Sequence, residues 1–249
     1  MEYFVFVIGL LFGSFANVVI YRLPRKISVI KPPSACPSCQ RRLSAVDLVP
    51  IFSWVILHGR CRMCKAKISV RYPLVELMCG LLFASMARFS PTLSVIPLCI
   101  FAFVLLTVSF IDRDTREIPD VLLIFGAIAS VLWVALPYSL TWQNALLGVI
   151  AGAVPLLLID RIALLLWKKD GFGYGDVKLM AVVGIFLGWQ ATLWAFFFAI
   201  LVSFPFAVYL MIKQRLSSDE NFDGYMAFGP FLCIGAIMAL WLYPLISHQ

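Results

Sequence analysis

The sequence predicts an all-α fold, a polytopic membrane helix bundle that carries a small polar insert. Hydrophobic residues make up 62% of the chain and charged residues only 13%, whereas soluble domains carry about 25% charged residues. Each membrane helix needs roughly 20 apolar residues, so the apolar part of the chain has room for about eight spans. Only the segment 22–73 is polar enough, and long enough, to form a separate small domain.

The predicted spans follow the apolar stretches in order. They lie near 3–21, 74–89, 92–111, 121–137, 144–166, 177–190, 192–212 and 226–246. The first is expected to remain as an anchor, because no positive region precedes it and Arg22, Arg25 and Lys26 follow it. The chain is therefore divided into a first transmembrane helix (1–21), the insert (22–73) and a helix bundle (74–249).

The distribution of charge orients these spans. The insert holds 11 of the 20 basic residues and a single acid, Asp47. Short loops rich in Lys and Arg stay on the cytoplasmic side, which predicts a cytoplasmic insert and an N-terminus outside. The net charge of +7 is then explained by orientation and by contact with anionic membrane lipids, and nucleic-acid binding is not predicted.

Four cysteines give the insert its clearest signal. Cys36 and Cys39 form one C-x-x-C pair, and Cys61 and Cys64 form a second, with 21 residues between the pairs. This is close to the spacing of four-cysteine zinc sites. About 50 residues with little apolar content cannot fold on a core alone, so metal binding would supply the missing energy. We predict a Zn²⁺ site.

Other interpretations of the cysteines stay open. A redox pair or unligated thiols are alternatives, although cytoplasmic thiols stay reduced. His58 lies near enough to compete as a ligand, but its simpler interpretation is a surface histidine. The remaining cysteines, Cys79, Cys99 and Cys233, lie in apolar spans and are expected to be small buried hydrophobic residues.

Two aspartates lie where apolar stretches meet polar loops. Asp112 follows 101–111, and Asp176 precedes the apolar run 179–187. A charge near the hydrocarbon costs at least ~2.5 kcal/mol on insertion scales, so a pair at matching depth suggests a site for acid–base chemistry. The structural alternatives are a solvated or arginine-paired boundary residue for Asp112 and a helix N-terminus for Asp176. Asp114 and Asp120 are rivals of Asp112, and Asp120 also suits a helix cap.

Other acids have less certain roles. Asp160 is expected to pair with Arg161 near the interface, with a third acid of the site as the alternative. Glu76, where the insert meets the second span, either belongs to a functional site or pairs with an arginine of the insert. The acidic loop of Asp219, Glu220 and Asp223 is interpreted as solvated, with attraction of a basic substrate as the alternative.

Several ordered motifs resemble one family over nearly the whole chain. They are GSFANVVIYRLP (13–24), CPSC (36–39), DLVP (47–50), SW (53–54), GRCRMC (59–64), SVRYPLVE (69–76), DRDTREIPD (112–120), GYGDVKL (173–179) and AFGPF (227–231). The chain resembles the bifunctional prepilin peptidases, also called type IV leader peptidases and N-methyltransferases. Both C-x-x-C pairs and both aspartate motifs are present without departure.

The resemblance implies a membrane aspartic protease of the bacterial inner membrane, with Asp112 and Asp176 as its catalytic pair. It implies cleavage of the basic leader of prepilins or type II secretion pseudopilins after a glycine. It also implies methylation of the new N-terminal residue from S-adenosylmethionine. A Rossmann-type site for that cofactor is excluded by length and motif, so only Glu76 is named, provisionally, as a cofactor-binding residue.

Two other classes of function remain as alternatives. In an ion-coupled transporter the aspartates would bind cations, but the chain shows no convincing internal repeat. A non-enzymatic zinc-bearing assembly factor would be indifferent to loss of either aspartate. The sequence leaves the oligomeric state open, a homo-oligomer included.

Overall fold

Helices account for nearly all regular structure in the computed structural model, which describes residues 1–89, 94–136, 140–167, 173–216 and 226–247. Outside the helices, the described residues form two isolated antiparallel β-bridges in the insert. The chain divides into two compact units, Met1–Thr107 and Val108–Gln249. The predicted all-α class is therefore confirmed.

A helix is present at each predicted span. The α-helices are α1 (Glu2–Arg22), α2 (Phe52–Ile56), α3 (Arg71–Phe89), α4 (Val95–Thr115), α5 (Asp120–Val134), α6 (Trp142–Trp167), α7 (Tyr174–Leu216) and α8 (Gly229–Ser247), with a short 3-10 helix at Ala45–Leu48. The helix α2 lies inside the insert. The three-part division of the chain at 21 and 73 stays a prediction.

The long helix α7 contains a break that separates two of the predicted spans. Gly188 has φ 77° and ψ 172°, which is not helical. Positive φ is accessible to glycine at little cost, so the chain can interrupt the helix there without strain. The predicted boundary at 190–192 lies a few residues beyond the observed one.

Among the described residues, four helices are long and apolar enough to cross a membrane: α1, α4, α6 and α7, the last two over Trp142–Leu166 and Tyr174–Lys213. Two more, α5 and α8, are apolar but shorter over their qualifying segments. The protein is thus a multi-pass membrane protein, while the count of eight crossings stays a prediction.

In the first unit, α1 and α3 pack with their backbones close together. A β-carbon added at Gly9 would lie 2.8 Å from the Cα of Gly80, and one added at Gly13 would lie 2.6 Å from the Cα of Glu76. Glycines allow this approach, as they do between membrane helices in general. The buried Asn17 of α1 also donates a hydrogen bond of 3.1 Å to the carbonyl of Tyr72. These contacts place Glu76 of α3 directly against α1.

In the second unit, α6 and α7 cross at glycines. A β-carbon at Gly148 or at Gly152 would clash with the carbonyl of Gly184 or Met180, respectively. The hydroxyl of Ser130 in α5 reaches the carbonyl of Val182 in α7 at 3.3 Å. These contacts fix the first half of α7, and with it the position of Asp176 near its start.

Candidate functional site

Asp112 lies in the last turn of α4 and is only 6% exposed. The helix ends at Thr115 because Arg116 adopts a left-handed conformation, with φ 57°. The N–H of Arg116 then donates to the carbonyl of Asp112 at 2.8 Å, a common way to close a helix C-terminus. The polypeptide thus leaves the helix one turn after a buried carboxylate.

The first residue of α8 holds the Asp112 side chain. The backbone N–H of Gly229 donates to Oδ2 of Asp112 at 3.0 Å. The first N–H groups of a helix lack partners within the helix, so they are natural donors to a carboxylate. A β-carbon at Gly229 would lie 2.6 Å from Oδ2 and 3.0 Å from Cγ, which explains why this residue has no side chain.

Asp176 lies in the first turn of α7, where its N–H donates to the carbonyl of Gly173 at 3.0 Å. Its Oδ1 atom is buried and has no hydrogen-bond partner in the part of the chain that the structure describes. Buried polar atoms nearly always have partners, so an unpartnered one marks either stored strain or a place for a ligand or water.

The two glycines of the GYGD motif differ in their surroundings. A β-carbon at Gly175 would lie 3.0 Å from the Cβ of Ile118, whereas one at Gly173 would lie 3.8 Å from Oδ2 of Asp176, an ordinary contact. Positive φ among the described glycines occurs at Gly59 and Gly188. Neither Gly173 nor Gly175 therefore has a left-handed backbone, and the lack of a side chain at Gly175 permits close packing against Ile118.

The two carboxyl groups come together. Asp112 and Asp176 lie close enough to interact electrostatically, and the fully buried Cys233 of α8 lies in the field of both. The rival acids Asp114 and Asp120 are exposed. Asp120 forms an exposed ion pair of 2.8 Å with Lys178, so it links the starts of α5 and α7 and makes no side-chain cap.

The four cysteines of the insert form one cluster. The Sγ atoms of Cys36, Cys39, Cys61 and Cys64 all lie within 4.8 Å of one another, and those of Cys36 and Cys64 are 3.8 Å apart. A tetrahedron with Zn–S bonds of about 2.3 Å has sulfur atoms about 3.8 Å apart, so the cluster has the size of a metal site. Among the described residues, the cluster consists of these four cysteines, and His58 is not part of it.

The cluster is built from two equivalent turns related by a shift of 25 positions. The N–H of Cys36 donates to Arg41, and the N–H of Cys61 to Ala66, both at 2.9 Å. The β-bridges Ala35↔Arg42 and Arg60↔Lys67 obey the same shift. So do the left-handed residues after each second cysteine, Gln40 with φ 56° and Lys65 with φ 58°. The insert is thus a pair of matching knuckles.

The knuckles also prepare two thiols to ionise. The backbone N–H groups of Cys39 and Ser38 point at the sulfur of Cys36 and lower its pKa to about 6. Those of Cys64 and Met63 lower the pKa of Cys61 in the same way. Thiolates are the form of cysteine that binds metals, so the local backbone favours metal binding before any metal arrives.

Asp47 stabilises the insert beside the cluster. Its carboxylate accepts hydrogen bonds from the hydroxyl of Ser44 at 2.7 Å and from Nε of Arg62 at 2.7 Å. These two interactions, the hydroxyl first, lower the pKa of Asp47 to about 2. Arg62 lies between Cys61 and Cys64, so the single acid of the insert connects its 3-10 helix to the second knuckle.

Glu76 is 8% exposed and accepts a hydrogen bond of 2.7 Å from the N–H of Ile51 in the insert. The predicted partner was either an arginine or a methyl-transfer site, and the observed contact is with backbone. The buried state expected of Cys79, Cys99 and Cys233 is confirmed. The acidic loop of Asp219, Glu220 and Asp223 lies outside the described residues.

Sequence reasoning missed two contacts. It named the AFGPF segment but gave Gly229 no role, and it did not foresee that Ile51 would reach Glu76. The signal for Gly229 was available, since Gly-Pro at the start of an apolar run is typical of a helix N-terminus. Nothing in the sequence around Ile51 predicts its contact.

Comparison with known protein families identifies the family of the chain. The family model "Bacterial Peptidase A24 N-terminal domain" matches residues 7–89, and "Type IV leader peptidase family" matches residues 99–208. The chain belongs to the type IV leader peptidase family.

Similar curated proteins are named prepilin leader peptidase/N-methyltransferase. The protein from Aeromonas hydrophila is 34% identical over 95% of this chain and 89% of its own length. The protein from Neisseria gonorrhoeae is 34% identical over 92% of this chain and 86% of its own length. The Myxococcus xanthus protein is 38% identical over 79% of this chain, which spans 59% of that relative's length. No solved structure matches the chain.

Proposed function

We propose that this chain is a prepilin leader peptidase and N-methyltransferase, the activities for which its relatives are named. The proposed peptidase residues are Asp112 and Asp176. The observation that carries the assignment is a pair of interacting carboxyl groups, the buried Asp112 and the half-buried Asp176. The buried Oδ1 of Asp176 has no hydrogen-bond partner among the described residues. A water molecule at that oxygen would be the nucleophile.

Peptide hydrolysis by two carboxyl groups needs one proton shared between them. The ionised carboxylate removes a proton from the attacking water, while the protonated partner donates to the carbonyl oxygen of the scissile bond. Repulsion between the groups keeps them from ionising together, so the titration belongs to the pair. The N–H of Gly229 fixes one of the two carboxyl groups during this exchange.

The proposed substrate class, prepilins or pseudopilins, is consistent with the positions of the two aspartates. A prepilin has an apolar helix in the membrane and a basic leader in the cytoplasm, and pseudopilins share this plan. Asp112 lies in the last turn of one apolar helix and Asp176 in the first turn of another, which supports a position for both near a membrane boundary. We assign that boundary to the cytoplasmic side of the inner membrane, with the insert also cytoplasmic and the N-terminus outside.

The metal proposed for the four-cysteine cluster is Zn²⁺. Tetrahedral thiolate coordination suits zinc, and the cytoplasm argues against disulfides. Its proposed role is structural, since four protein ligands leave no open position for substrate. The methyl donor is S-adenosylmethionine, which the N-methyltransferase name implies.

The peptidase assignment is tested by replacing each aspartate with asparagine, which keeps shape but removes the carboxylate. In purified protein incubated with a prepilin, Asp112→Asn and Asp176→Asn should each lower the cleavage rate by about 10²–10⁴-fold. Mass spectrometry separates the cut product from its methylated form.

The matched controls come from the same stretch of chain. Asp114→Asn and Asp120→Asn alter exposed carboxylates and should cleave at close to the normal rate. Normal cleavage by Asp112→Asn would refute the assignment at that position. Normal cleavage by both single variants would place the peptidase chemistry on other residues, whereas no cleavage by the purified wild-type protein would favour a non-enzymatic assembly factor.

A further inference from the structure

The first unit contains a buried carboxylate that the peptidase reaction does not use. Glu76 lies near the start of α3, against Gly13 and Ser14 of α1, and is 8% exposed. It accepts hydrogen bonds from the Ser14 hydroxyl and from the N–H of Ile51 at 2.7 Å. Residues from α1, α3 and the insert therefore meet at one carboxylate.

The donor from the insert is held in a strained conformation. Ile51 has φ 61° and ψ −52°, and the N–H of Phe52 donates to the carbonyl of Pro50 at 2.6 Å. This is a γ-turn with positive φ, which is rare, and a β-branched residue at its centre is a genuine outlier. Such strain costs on the order of 1–3 kcal/mol and occurs most often at functional sites. Here the turn aims the Ile51 N–H at Glu76.

The carboxylate has room for a further partner of positive charge. A carboxylate offers about four lone-pair sites, and the described residues supply Glu76 with two uncharged donors. The insert is rich in Lys and Arg, yet none of the described ones forms an ion pair with Glu76. Buried carboxylates are usually paired, so this one is suited to an amine or another cation.

The other acids of the first unit are less suited to bind an amine or another cation. The acids in residues 1–107 are Glu2, Asp47 and Glu76. Glu2 is exposed at the start of α1, about 18 Å along the helix from Ser14. Asp47 is already paired with Arg62. Glu76 is therefore the acid in this unit that remains available for chemistry.

We propose that Glu76 is the proton acceptor for N-methylation. The carboxylate binds the α-ammonium group of the newly cut chain and takes one proton from it. The free amine then attacks the methyl carbon of S-adenosylmethionine. An N–C bond forms, the C–S bond breaks, and its electron pair remains on sulfur, which leaves neutral S-adenosylhomocysteine and an N-methylammonium group. This inference rests on the proposed methyltransferase function.

The test uses the full-length protein with Glu76→Gln. The glutamine amide oxygen can still accept from Ile51, so the strained turn keeps its partner while the proton acceptor is lost. The substrate is pilin cut beforehand by the wild-type enzyme without a methyl donor. Cleavage of fresh prepilin and the KM for S-adenosylmethionine are measured in parallel, with the exposed Glu2→Gln as control.

At pH 7 the Glu76→Gln variant should methylate at least about 10²-fold more slowly than wild type, with cleavage and KM unchanged. The deficit should shrink as the pH rises past about 8, where an α-amine loses its proton without help. Glu2→Gln should methylate normally at every pH.

Two results would overturn the inference. One is normal methylation by Glu76→Gln, and the other is a deficit of the same size at every pH, which would mean a structural role. A wild-type protein that cuts but never methylates would instead refute the proposed methyltransferase function.

Discussion

The cysteine cluster of the first unit and the carboxylate pair of the second are specified in different ways. Each cysteine pair is positioned by hydrogen bonds within a few residues, and the two knuckles repeat one local pattern 25 positions apart. The carboxyl groups come from α4 and α7, and α8 supplies the donor that holds one of them. A local site tolerates changes elsewhere, whereas a site built from three helices depends on their packing.

The largest of these effects is expected where the start of α8 meets the Asp112 side chain. Gly229→Ala places a methyl group 2.6 Å from Oδ2 of Asp112, so the carboxylate must move or the start of α8 must shift. A displacement of about 1 Å at reacting groups can cost 10²-fold in rate. Cleavage of prepilin should fall by at least that factor, measured as initial rate by mass spectrometry.

Two comparisons sharpen this prediction. Methylation of pre-cut pilin should stay normal in Gly229→Ala, because the change lies in the second unit. Gly173→Ala should reduce cleavage less, since its methyl group meets Asp176 at 3.8 Å. Wild-type cleavage by Gly229→Ala would show that the hydrogen bond to Asp112 does not matter.

The next largest effect is expected from loss of two ligands of the cysteine cluster. Replacing Cys36 and Cys39 with Ser removes two of the four thiolates, and the insert has little apolar core to hold it together without metal. Bound zinc, measured by mass spectrometry of the purified protein, should fall from about one per chain to near zero. Methylation should fall more than cleavage.

A matched cysteine variant separates metal loss from general damage. Cys99→Ala alters a buried cysteine of α4 that lies outside the cluster, and its zinc content should equal that of wild type. Equal zinc in the Cys36 and Cys39 variant would rule out a four-thiolate site.

The difference between the two sites also decides what the sequence could predict. The cysteine cluster follows from spacing alone, because C-x-x-C turns carry their own geometry. The sequence left Asp112, Asp114 and Asp120 as rivals, since burial is set by helices distant in the chain. The structure separates them, with Asp112 buried and the other two exposed.

Contacts made through backbone groups were the hardest to predict. The hydrophobic pattern located the seven long helices of the described chain but not the short α2 or the 3-10 helix of the insert. The break in α7 lies within a few residues of the predicted boundary. Glu76 was noticed as an acid, but its partner was expected to be a side chain or a cofactor. The observed donor is the backbone N–H of Ile51, and no residue pattern encodes a strained γ-turn. Gly229 likewise contacts its partner, the Asp112 carboxylate, through its backbone N–H.

The smallest effect is expected from removing the charge of Asp47, which lies beside the cysteine cluster. Asp47 is only 8% exposed at its side chain, while its partner Arg62 is 45% exposed, so solvent screens part of their attraction. Asp47→Asn should therefore destabilise the insert by about 1 kcal/mol at neutral pH. Hydrogen exchange of the amides in 34–68 measures this as faster opening of both knuckles.

The stabilisation of the insert by Asp47 should depend on pH. The pKa of Asp47 is about 2, below the ordinary 3.8, because the Ser44 hydroxyl and Arg62 favour the charged form. The stabilisation is thus complete above the ordinary value and disappears as the pH falls through about 2. The difference between wild type and Asp47→Asn should shrink over that window, while Asp120→Asn, in an exposed pair, should differ little from wild type at any pH. A gap between wild type and Asp47→Asn that persisted at pH 2 would mean that the asparagine acts by disturbing the 3-10 helix instead of by loss of charge.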